Sequence, residues 1–160
     1  MHTKPLVSTI IVTACIIFVL GETVTAAPIP TEVKSVVGFV YTPNNQGKLV
    51  PNGTGFFVGV QDPSTTDSFH VYFVTAKHVL CKPNTNEYFE RIFVRLNKKG
   101  GGAEFGVIPL IPEGEKRTVF VNSDPSVDLA ITPVALDQAK FDYKFLPADM
   151  ITTKEAYIGS

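Results

Sequence analysis

Two cysteines occur in these 160 residues, and Cys15 sits inside an apolar N-terminal run, so Cys81 is left without an intrachain partner once that run is removed as a leader. An internal disulfide framework is thereby excluded, and stability has to come from a hydrophobic core. An excess of charge of one sign is also missing. Fourteen Lys and Arg face 15 Asp and Glu for a net charge of −1, and basic residues are adjacent only at Lys98-Lys99 and Lys116-Arg117. That excludes the basic footprint of a nucleic-acid binder. No low-complexity tract is present, and 44% hydrophobic against 18% charged residues is the balance of an ordinary folded domain. The loop carboxylates Asp62, Asp67 and Glu87 lack the spacing of calcium ligands, so no metal or cofactor is expected.

Only one long hydrophobic run is found, Leu6 to Leu20, broken by Ser8, Thr9, Thr13 and Cys15. At about 15 residues it is shorter than the ~20 that span a bilayer as a helix. His2 and Lys4 precede it, Gly21 ends it, and Val24-Thr25-Ala26 offers small residues for cleavage after Ala26. Residues 1–26 therefore read as an export signal, which makes the product secreted or periplasmic. The alternative is an uncleaved N-terminal anchor, the one case in which a membrane is a partner. Val12-Thr13-Ala14-Cys15 looks like a lipidation box, but the apolar Ile16 to Leu20 that follows argues against it.

After a linker over residues 27–32, short β-rich segments alternate with turn residues: Val33 to Thr42, Thr54 to Val60, Phe69 to Thr75, Tyr88 to Asn97, Arg117 to Val121 and Leu129 to Val134. Pro43 to Gly47, Pro51-Asn52-Gly53, Gln61 to Ser68 and Lys98 to Gly102 read as loops or turns. Phe105 to Ile111 reads as a strand extension, Ala76 to Leu80 as a short helical turn, and Ala135 to Ala148 as turn and loop. Six short strands without a long amphipathic helix predict an all-β domain, an antiparallel barrel or sandwich. Asn52-Gly53-Thr54 is formally a glycosylation sequon, but a plain Asn-Gly turn is the expected reading.

Chemistry concentrates at two places. Val71-Tyr72-Phe73-Val74-Thr75-Ala76-Lys77-His78 runs an apolar strand into a turn that presents a histidine, and Asp128 leads into Leu129-Ala130-Ile131 fifty residues later. A histidine base needs a partner on its second ring nitrogen to set the tautomer, and a carboxylate supplies one. His2 falls in the leader, and His70 lies within a strand, where a half-exposed structural role is expected. Cys81 reads as a buried structural thiol, not a nucleophile.

Taken together, three motifs resemble the trypsin/chymotrypsin-like serine peptidases, particularly the disulfide-poor bacterial members. Gly53-Thr54-Gly55-Phe56-Phe57-Val58 looks like the glycine-small-glycine strand before the base. Phe73-Val74-Thr75-Ala76-Lys77-His78-Val79 looks like the threonine-alanine-X-histidine segment, and Asp128-Leu129-Ala130-Ile131 like the aspartate segment. The resemblance implies a six-stranded antiparallel Greek-key barrel over residues 33–135, the first of two, with His78 as general base and Asp128 orienting it. It also implies a second barrel carrying the serine, the oxyanion hole and the specificity pocket.

Only 32 residues follow Asp128. Ser160 ends the sequence given, and Ser123 and Ser126 lack a flanking Gly-Gly. The expectation is the N-terminal half of a secreted serine endopeptidase, acting on a protein or peptide substrate, with residues 136–160 an incomplete connection to the missing C-terminal barrel. Glu155 to Ile158 reads as the start of a strand there. Such a half should expose an apolar face and self-associate. The alternative is a non-enzymatic, peptidase-like binding or regulatory module in which His78 and Asp128 are relics.

Overall fold

The computed structural model describes residues 31–65, 67–111 and 118–151. The export-signal reading of residues 1–26, most of the linker and the strand expected at Glu155 to Ile158 lie outside them. A short helix α1 (Thr31–Val36) leads into β1 (Val37–Pro43), followed by β2 (Leu49–Gln61), β3 (Phe69–Thr75), a 3₁₀ turn (Lys77–Leu80), β4 (Arg91–Asn97) and β5 (Ala103–Pro109). β6 (Phe120–Val121), β7 (Ala130–Pro133), β8 (Leu146–Pro147) and a second 3₁₀ turn (Ala148–Met150) complete the described part.

The strands form one sheet in the order β5-β4-β1-β2-β3-β7-β6, antiparallel throughout, with β8 added parallel to β2. The all-β expectation holds. Closure into a barrel does not: no ladder joins β5 to β6 among the described residues. β6 is only two residues long and β5 ends at Pro109, which has no N–H to give a ladder. Across that gap the Thr118 hydroxyl donates to the Leu110 carbonyl.

Three local expectations change as well. Val33 to Val36 belongs to α1, so the first strand starts only at Val37. Pro51-Asn52-Gly53 is not a turn. It lies inside the 13-residue β2, because β1 offers ladder partners to Pro51 and Gly53 that outweigh its turn propensity. Eight strands, not six, are present among the described residues.

Alternation along β4 buries Ile92, Val94 and Leu96 and turns Arg91 and Arg95 out, the pattern of a strand covered on one face. Phe57 and Phe73, both fully buried, meet with ring centroids 5.1 Å apart, and Tyr143 closes on Phe57 at 4.8 Å. Each buried aromatic of this size contributes on the order of 1.5–3 kcal/mol through the water it sheds. Phe141 joins the same core from the segment after β7. A second apolar region stays open to solvent between α1 and the stretch Lys144–Met150, where Val33, Phe56, Leu146 and Met150 are exposed. No helix among the described residues is long and apolar enough to cross a membrane.

Candidate functional site

The β3–β7 ladder assembles the site. Thr75, the last residue of β3, lies opposite Ala130, the first of β7. Because the strands are antiparallel, the chain leaving β3 and the chain entering β7 meet at one end of the sheet. His78 comes three residues after Thr75 and Asp128 two residues before Ala130, so the two are brought together across fifty residues of sequence.

The turn that carries His78 is anchored by its neighbours. Val79 and Leu80 are buried, and Val79 N–H and Cys81 N–H close the 3₁₀ geometry on the carbonyls of Ala76 and His78 at 3.1 and 3.2 Å. Thr75, itself buried, donates its hydroxyl to the Thr54 carbonyl at 2.7 Å. Glycines on β2 leave the room this needs. A Cβ at Gly53 would come within 2.7 Å of a Val79 methyl, and one at Gly55 within 2.4 Å of the Phe73 ring. The Gly53-Thr54-Gly55 pattern is therefore the imprint of the His78 turn and its supporting strand on β2.

Asp128 arrives from a tight turn. Asn122 Oδ1 accepts from Asp124 N–H at 2.8 Å, and Asp124 Oδ1 accepts from Ser126 N–H and its hydroxyl at 2.9 and 2.7 Å. Both carboxylate oxygens of Asp128 are then engaged by one residue. Oδ1 accepts His78 N–H at 3.0 Å, and Oδ2 faces His78 Nδ1 at 2.5 Å. An ionised carboxylate only accepts, so Nδ1 carries a proton in this pair, which in the neutral ring leaves the Nε2 lone pair free. The His78 ring bond, then the His78 backbone bond, hold the Asp128 carboxyl below its ordinary range. Both side chains are exposed, at 72% for His78 and 51% for Asp128, so the ring is aimed by these bonds and by its backbone, with little packing around it. Nε2 has no hydrogen-bond partner among the described residues.

Other candidates separate from this centre. His70 sits near the opposite end of β3, exposed, and its Nε2 lies 3.3 Å from Oδ2 of the half-buried Asp62. Cys81 is half-buried, its thiol directed at the Lys77 carbonyl at 3.5 Å, and burial pushes its pKa up, away from the thiolate a nucleophile requires. Ser126 and Ser64 give their hydroxyls to the carboxylates of Asp124 and Asp62, while Ser160 lies outside the described residues. Sequence reasoning missed Asn52. It is not a turn residue; its Nδ2 donates to the Val79 carbonyl at 2.8 Å. Its position just ahead of Gly53 was the available signal, hidden by the turn-like string Pro-Asn-Gly.

No model of a known protein family, no curated protein and no solved structure matches this chain.

Proposed function

We propose that His78 and Asp128 are the general base and orienting carboxylate of a serine-peptidase-type acyl-transfer site, of the trypsin/chymotrypsin-like kind. The observation that carries this reading is the double grip of Asp128 on His78, through N–H and Nδ1, which leaves Nε2 exposed and unpartnered among the described residues. In such a site Nε2 takes the proton of an attacking serine hydroxyl and later returns it to the leaving amine, while the aspartate stabilises the imidazolium formed between. The order β4-β1-β2-β3, in which β4 lies beside β1, supports the Greek-key part of the same reading. The serine, the oxyanion hole and the pocket for a protein or peptide substrate are contributed from outside the described residues, by a C-terminal barrel. The leader pattern of residues 1–26 supports action in a secreted or periplasmic setting.

A second reading, a non-enzymatic module, is favoured by the absence of any described hydroxyl bonded to Nε2. A fluorophosphonate probe applied to the full expressed product separates the two. Labelling of one serine, abolished by His78→Ala with the melting curve unchanged, supports the peptidase. Labelling that survives His78→Ala overturns the assignment, and a product that is never labelled favours the binding module.

A further inference from the structure

Asn52 occupies an irregular place in β2. Val40 pairs with Gly53 and the next residue, Tyr41, pairs with Pro51, so the register slips by one and Asn52 is the extra residue of a β-bulge. A bulge bends the strand locally and re-aims the side chain it carries. Here the Asn52 side chain crosses to the His78 turn, and Nδ2 donates to the Val79 carbonyl at 2.8 Å.

We propose that Asn52 is a positioning residue for His78, a reading that rests on His78 and Asp128 forming the working pair described above. The two contacts flank the histidine. Asp128 holds the main-chain N–H of His78, and Asn52 holds the carbonyl of the residue after it. Of the turn's other main-chain bonds, those from Val79 N–H to Ala76 and from Cys81 N–H to His78 are internal to it, and Phe89 N–H reaches the Leu80 carbonyl from the segment before β4, so none of these registers it against β2. Gly53, next to Asn52, lets β2 approach Val79 closely enough for the bond. No disulfide ties this turn, since Cys81 is free. With the imidazole mostly in solvent, the peptide planes on either side are what point Nδ1 at Asp128. Losing one of the two grips lets the ring swing and take the other tautomer.

The test is the tautomer of His78, read from its two ring ¹⁵N shifts in the full chain at alkaline pH. In the unsubstituted chain the proton resides on Nδ1. Asn52→Leu, close in size but without a donor, is expected to raise the Nε2–H population about five- to tenfold, the weight of one ordinary hydrogen bond. Asn52→Asp, which sets a carboxylate oxygen against the Val79 carbonyl, raises it at least as much. His70, at the other end of β3, keeps its spectrum in both. If Asn52→Leu does not fold, Asn52→Ser, too short to reach Val79, gives the same readout. Unchanged His78 shifts in the folded variants overturn the proposal while leaving the pair intact. An equal change in the core control Ile108→Val reduces Asn52 to general stability and also overturns it. A parent His78 whose shifts ignore Asp128→Asn refutes the pair itself, and with it the proposed function.

Discussion

Thr75 stands opposite Ala130 in the β3–β7 ladder, and that one pairing brings His78 and Asp128 within hydrogen-bonding reach. Both residues lie a short, tightly bonded step beyond the paired strands, so the ladder register sets their spacing directly. A shift of the register by one residue would move β7 by about 3.4 Å and turn its buried Ala130 and Thr132 to the opposite face.

The glycines beneath the site set a first expectation. Gly55→Ala would place a Cβ 2.4 Å from the Phe73 ring and 2.6 Å from the Val74 carbonyl, and a backbone oxygen in a ladder cannot step aside. A loss of about 1–3 kcal/mol is expected in denaturant unfolding. An unchanged midpoint would mean that β2 and β3 are not packed as described.

Leu80 is fully buried and anchors the His78 turn from below. Leu80→Ala is expected to cost about 2–5 kcal/mol by removing core contacts and leaving a cavity. Urea titration at fixed pH measures it, and a loss below about 1 kcal/mol would contradict the anchoring role.

Thr132 presents the opposite case. It is fully buried on β7, and its hydroxyl has no hydrogen-bond partner among the described residues. Thr132→Val replaces that hydroxyl with a methyl of similar size and should raise stability by about 1 kcal/mol. A destabilised variant would show that the hydroxyl is satisfied after all.

The pH dependence follows from Asp128. Its folded pKa is depressed, chiefly by the His78 ring bond, so its contribution is complete above the ordinary Asp value of about 3.9 and is lost as the pH falls through the lower folded value. Asp128→Asn removes one of the groups that must bind a proton on acid unfolding. The variant's melting temperature should therefore fall less than the parent's between about pH 5 and about pH 2. Parallel acid limbs for the two proteins would show that the carboxyl gains nothing from His78 in the folded state.

Local pattern made much of this site legible. The alternation of Ile92, Val94 and Leu96 with Arg91 and Arg95 matches the faces of β4, and the strand Phe69 to Thr75 is β3 as expected. His78 and Asp128 were identifiable because each sits where an apolar strand meets a turn. Errors came where long-range pairing competes with local preference. Pro51-Asn52-Gly53 has the composition of a turn, yet pairing with β1 draws it into β2 and leaves its excess residue as a bulge. Val33 to Val36 is β-rich in composition but adopts a helical turn before the first strand pairs.

The chain by itself determined its short β-strands, the alternation of buried and exposed side chains along β4, and the strand-to-turn positions of His78 and Asp128. These are properties of composition and of patterns a few residues long. The tertiary structure alone decided that the sheet stays open, that Asn52 reaches the Val79 carbonyl, and that Asp128 grips His78 at two atoms. Each of these depends on register between segments far apart in sequence. Register is settled by which faces can be buried together and which backbone groups find partners, a property of the whole sheet that no local stretch contains.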